Sequence, residues 1–102
     1  MEGSEPTVAP LAFINMCSIF GNGNILHGEE LLRKIANRLI HARSKHPTFA
    51  EGVYQGLSRI TEEHEELVHA VEHETPERQF DEDLDVIATA VRFANREYDI
   101  AC

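Results

Sequence analysis

Residues 60–74 read ITEEHEELVHAVEHE and gather six glutamates with three histidines and no lysine or arginine. Like charges three or four residues apart on a helix repel, at a cost of roughly a few tenths of a kcal/mol per pair. Such a run is either a solvated face or a set of carboxylates turned toward a cation. On a helical wheel, Val53, Ile60, Leu67 and Val71 make one apolar stripe expected to face the core. Glu62, Glu63 and Glu66 fall on the shoulder of that stripe, while Glu65 and Glu72 point to solvent. Past a gap of fifteen residues the pattern returns as Glu82 and Asp85, again three apart and again on the shoulder of an apolar face.

The chemistry open to this set follows from its ligand type. Four carboxylates, Glu63 and Glu66 from one helix and Glu82 and Asp85 from the next, converge if the two helices are antiparallel neighbours. Alone they repel. Around Mg²⁺ they form a hard-oxygen cage that leaves positions for water and for substrate phosphates. The whole pattern is E-E-x-x-E, fifteen residues, then E-x-x-D, set in ITEEHEEL and DEDLDV. It resembles the MazG-type all-α nucleoside triphosphate pyrophosphohydrolases over roughly residues 46–92, and HPTF at residues 46–49 is similar to that family's approach to the same helix.

The resemblance implies an enzyme that hydrolyses a nucleoside triphosphate to a monophosphate and pyrophosphate, as in nucleotide-pool house-cleaning. Mg²⁺, or Mn²⁺ in its place, would be held by Glu63, Glu66, Glu82 and Asp85. Glu62 would activate the attacking water or help hold a second ion. Arg92 and Arg96, on the Asp85 side of the last helix, are candidates to neutralise phosphate, and salt bridges with nearby acids are the alternative for them. Asn95 joins them as a candidate substrate contact, because no lysine follows Lys45. Phe49 either packs in the core or stacks on a base. A homodimer or dimer of dimers would complete the pocket.

Other constellations are weaker. His64 and His69 are five apart, so HEELVH lacks the spacing of a zinc-protease helix. His69 and His73 are four apart and suit either a soft metal or a solvated face. Glu66 and His69 form an ExxH, the element of di-iron bundles, of which a dimer would supply two copies. A non-catalytic acidic interaction module is the remaining alternative. Cys17 and Cys102 have no histidine partner that would make a thiol nucleophile.

Composition sets the frame. Nine basic against eighteen acidic residues give a net charge of −9, which excludes a duplex nucleic-acid surface built on a basic footprint. Two cysteines without a CxxC suggest reduced thiols in the cytoplasm. The apolar run at residues 9–20 lacks a basic leader and is too short to cross a bilayer. It reads as a packing segment, so residues 1–24 make a tail and packing segment and residues 25–102 one helical domain.

Three helices must position the acids. The first is expected over 28–45, with a GNGN turn before it at residues 21–24. The second is expected over about 49–74, opened by a Thr48–Glu51 capping box. The third is expected over about 76–98, with Thr75 as cap and Pro76 in the first turn. Gly52 and Gly56 would let another backbone come close. The fold class is all-α, an antiparallel helical bundle completed by oligomerisation, since the third helix is apolar on more than one side.

Overall fold

Four helices, and no strand, make up residues 8–99, which are the residues that the computed structural model describes. They are α1 (Val8–Phe20), α2 (Ile25–Lys45), α3 (Val53–His73) and α4 (Pro76–Ala94). Cys102 and residues 1–7 of the expected tail and packing segment lie outside the described residues, and the segment is helical from Val8. No described helix is long and apolar enough to cross a membrane. The chain divides after Ala36 into two compact units.

In the first unit the apolar segment is a helix with little of its own surface covered. Cys17 is buried, while Leu11 and Ile19 are 63% and 76% exposed. The GNGN turn carries the chain from α1 into α2. Gly21 donates to the Cys17 carbonyl at 2.9 Å, and Asn24 caps α2 by accepting from His27 through its side chain. This cap starts α2 at Ile25, three residues before the expected position. Gly28 is required there: a Cβ on it would lie 1.7 Å from the Cys17 carbonyl oxygen.

In the second unit α3 and α4 form an antiparallel pair joined by a tight turn. Thr75 accepts from the Arg78 backbone N–H at 3.2 Å and Pro76 occupies the first turn, as the sequence pattern predicts. The core consists of Phe49, Ala50, Ala70, Leu84 and Ala88. Val53 and Val71, assigned to the core stripe from periodicity, are 43% and 55% exposed. Small Ala70 takes the inward position instead, which brings α4 close.

The expected capping box does not form. Residues 48–52 are non-helical, and α3 begins at Val53 behind Gly52, whose φ of 97° places it in the left-handed region. The cause is the burial of Phe49 and Ala50, which draws the loop inward. Arg59 Nε then donates to the Phe49 carbonyl at 3.3 Å. Helix α4 likewise stops at Ala94, short of residue 98, because Arg96 adopts φ 58°. The chain turns back so that Tyr98 packs on Phe93, with ring centroids 5.1 Å apart, and its carbonyl accepts from Gly52 N–H. Gly56 does permit a close approach, but by rings rather than by backbone. A Cβ there would meet the Phe93 ring at 3.0 Å and Tyr98 at 3.3 Å.

Replacing Gly28 by alanine forces the α1–α2 corner apart and costs about 3 kcal/mol or more, at the upper end of overpacking penalties. In a Cys102→Ser background, the G28A variant is expected to expose Cys17 to a thiol reagent that the parent protein resists. Equal reactivity of the two would contradict the tight corner.

Candidate metal centre

The acidic shoulder of α3 meets that of α4 across the hairpin. Carboxylate oxygens of Glu63, Glu66 and Glu82 lie within 4.8 Å of one another. Glu82 is 9% exposed; its Oε2 accepts from Arg78 Nη2 at 2.6 Å. Its Oε1 is buried with no hydrogen-bond partner, and the same holds for Glu63 Oε1. A buried carboxylate oxygen without a donor carries its full desolvation penalty. Two such oxygens beside a third carboxylate make a strongly electronegative point.

The titration of these groups shows the strain of that arrangement. Burial pushes the Glu63 carboxyl up to about 7, assisted by the charges of Glu66, Asp85, Glu82 and Glu62. Glu82 is raised as well, by burial first and then by Glu66 and Asp85, with Arg78 pulling the other way. A hard divalent cation fits this donor set, which is all oxygen and includes two atoms that no protein donor satisfies.

The other candidate residues are placed differently. Asp85 borders the cluster, but its Oδ1 is held by Arg38 Nη1 at 2.6 Å. Arg38 also grips the Asp81 carbonyl at 2.9 Å and the Asp81 carboxylate at 3.2 Å. Glu62 is exposed and lies 3.5 Å from Arg59. Arg92 is 4% exposed, and its donors are committed to Glu97 and to the Ala42 and Pro47 carbonyls, with its guanidinium over the Phe49 ring. Phe49 is therefore a packed residue at the base of this clasp. Asn95 donates to Glu97 at 3.3 Å and Arg96 pairs with Asp99 at 2.8 Å, both past the last turn of α4. His69 lies 3.1 Å from Glu74 and is not among the converging ligands, nor is His73, whose ring lies 4.9 Å from that of His69.

A cleft of about 570 Å³ opens beside the cluster. One wall carries Glu63 and Asp85, with Ala88, Thr89 and Arg92 from α4. The facing wall carries Arg38, His41, Ala42 and Lys45 of α2, followed by His46 and Phe49. The α2 residues are the part that the acidic motif did not reveal. Their signal was present, since positions 38, 41, 42 and 45 share one helix face by their spacing of three, four and seven. Glu97 was also missed. It binds Arg43 at 2.6 Å and Arg92 at 2.7 Å and thereby fastens the end of α4 to α2.

No family model, curated protein or solved structure matches this chain.

Glu63 and Glu97 give opposite pH responses. Burial alone would raise Glu97, but hydrogen bonds from Arg43, Arg92 and Asn95 overcome it and hold the carboxyl at about 2. Its stabilisation is present above the ordinary carboxylate value of 4.5 and fades as pH falls toward 2. Glu63 is raised, so the folded protein holds a proton that the unfolded chain has released. Stability therefore declines as pH rises from 4.5 to about 7. In metal-free buffer, thermal unfolding across pH is expected to show E97Q less stable at neutrality, by about 2 kcal/mol for a partly exposed pair, with a flattened acid limb. E63Q is expected to make the decline between 4.5 and 7 shallower, with the share from Glu82 left in place. An E63Q curve parallel to the parent through that window would contradict the buried-charge account.

Proposed function

We propose that the protein is a Mg²⁺-dependent nucleoside triphosphate pyrophosphohydrolase that releases pyrophosphate and a nucleoside monophosphate. The reading is carried by the convergence of Glu63, Glu66 and Glu82, with two buried oxygens lacking a donor, at the edge of an open cleft. The resemblance of E-E-x-x-E and E-x-x-D to the MazG-type motif supports the same chemistry. Glu63, Glu66 and Glu82 would hold the ion, and Asp85 can join through Oδ2, because Arg38 contacts only its Oδ1. When bound, the ion supplies neutralisation of the triphosphate charge and electrostatic stabilisation as that charge shifts.

The chain's own groups supply the rest. Glu62, exposed and next to the cluster, accepts the proton of a water that attacks the α-phosphorus. The bond between the α-phosphorus and the oxygen that bridges it to the β-phosphorus breaks, and pyrophosphate leaves with that oxygen and the bonding pair. Arg92 and Phe49 act through position, by fixing the loop that floors the cleft. A cytoplasmic role in cleaning the nucleotide pool agrees with such a substrate and with a buried thiol at Cys17.

Pyrophosphate release across a panel of dNTPs and NTPs is the direct test. Turnover is expected with Mg²⁺ or Mn²⁺ and is abolished by chelation. E63Q and E82Q are expected to fall by about a hundredfold or more, since even outer-shell partners of a metal are worth ten- to a hundredfold. A folded protein that turns over none of the panel overturns the reading.

The assembly proposed with it is a homodimer, or a dimer of dimers, through α3. Val53, Leu57, Val68 and Val71 follow one another on that helix at spacings of four, eleven and three, which keeps them on one face, and are each at least 40% exposed. Light scattering is expected to return at least twice the chain mass of 11.5 kDa. A monomer at micromolar concentration refutes the assembly.

A further inference from the structure

This chain is short of cations, and it spends nearly all of them on its own acids. Of nine lysines and arginines, eight have an acidic partner: Arg33 with Glu29, Lys34 with Glu30, Arg38 with Asp81 and Asp85, and Arg43 with Glu97. Arg59 pairs with Glu62, Arg78 with Glu74 and Glu82, Arg92 with Glu97, and Arg96 with Asp99. Lys45 is the exception among the described residues. It stands at the last position of α2 and lines the cleft beside the carboxylate cluster, in company with His41 and His46. In a chain of net charge −9, an ammonium left without a carboxylate is placed for an anion from outside.

The facing geometry favours the same ligand. Arg38 covers Asp85 with a 2.6 Å contact, which removes that carboxylate's repulsion from the middle of the cleft. Glu63, whose orphaned oxygen belongs to the metal centre proposed above, lines the same cleft as Lys45. One cleft that carries both groups suits a metal-chelating polyanion, with its ion at the glutamates and its remaining charge at α2.

We propose that the α2 wall of this cleft, with Lys45 as its contact and His41 and His46 beside it, is the subsite for the pyrophosphate portion of the substrate. The β- and γ-phosphates lie there before cleavage, and inorganic pyrophosphate occupies it as product. The assignment rests on the pyrophosphohydrolase reading for its biological ligand, but the subsite itself is testable without turnover.

Calorimetric titration of inorganic pyrophosphate into the full chain, with Mg²⁺ and separately with chelator, reads it directly. Lys45→Ala is expected to weaken pyrophosphate binding by about tenfold, the worth of one charge-assisted contact, and Lys45→Arg to retain most of it. Mg²⁺ affinity measured without anion, and the unfolding temperature, are expected to be unchanged in Lys45→Ala. Pyrophosphate binding that is absent in both conditions, or equal in the parent and Lys45→Ala, overturns the subsite even where Mg²⁺ binds normally. Lys45-dependent binding in a protein that binds no Mg²⁺ keeps the subsite and sinks the metal-dependent enzyme instead.

Discussion

The structure depends on a repulsion that it holds in place. Glu63, Glu66 and Glu82 would separate if α3 and α4 were free to slide, and the hairpin prevents that. The Thr75 cap and Pro76 fix where α4 begins. Arg78 in its first turn then reaches both Glu74 at the end of α3 and Glu82 in the cluster. One guanidinium thus sets the turn and orients Glu82. The small side chains of Ala70 and Ala88, each almost fully buried, let the two helices approach closely. Packing energy and one arginine hold the acids together, and the excess negative charge is what makes the point attractive to a cation.

The all-α class and the α3–α4 hairpin were legible because their signals are local. Thr75-Pro76 is a helix start that few other structures satisfy, and the acids sit three residues apart on shoulders that periodicity locates. Glu63, Glu66 and Glu82 converge for that reason. What escaped depends on contacts distant in sequence. The Thr48–Glu51 capping box satisfies every local criterion, yet burial of Phe49 and Ala50 overrides it and moves the helix start to Val53. Arg92 has the spacing of a phosphate ligand, but its partners lie at Glu97 and some fifty residues back at Ala42. Wheel geometry cannot tell a core stripe from a stripe that is left exposed, which is why Val53 and Val71 were misplaced.

The cleft has a division of labour between elements. Helix α3 contributes acids, α2 contributes cations, and α4 contributes both. The loop 46–50 makes the floor, and Arg92 ties it down through the Pro47 carbonyl and the Phe49 ring. Glu97 draws Arg43 and Arg92 to a single carboxylate. The spacing between the cationic and acidic walls is therefore set from the end of α4, well away from the carboxylate cluster.

Gly56 has a consequence for how this sequence can drift. Its missing side chain is the space into which Phe93 and Tyr98 fit, and Tyr98 in turn accepts from the backbone of Gly52. A larger residue at position 56 would press on the Phe93 and Tyr98 rings, which lie 3.0 and 3.3 Å from where its Cβ would stand. A neutral-looking change near the start of α3 would thus be felt at the far end of α4, where this aromatic pair sits. Position 56 and the aromatic pair share one space, so a side chain gained at the first is best accommodated by volume lost from the second.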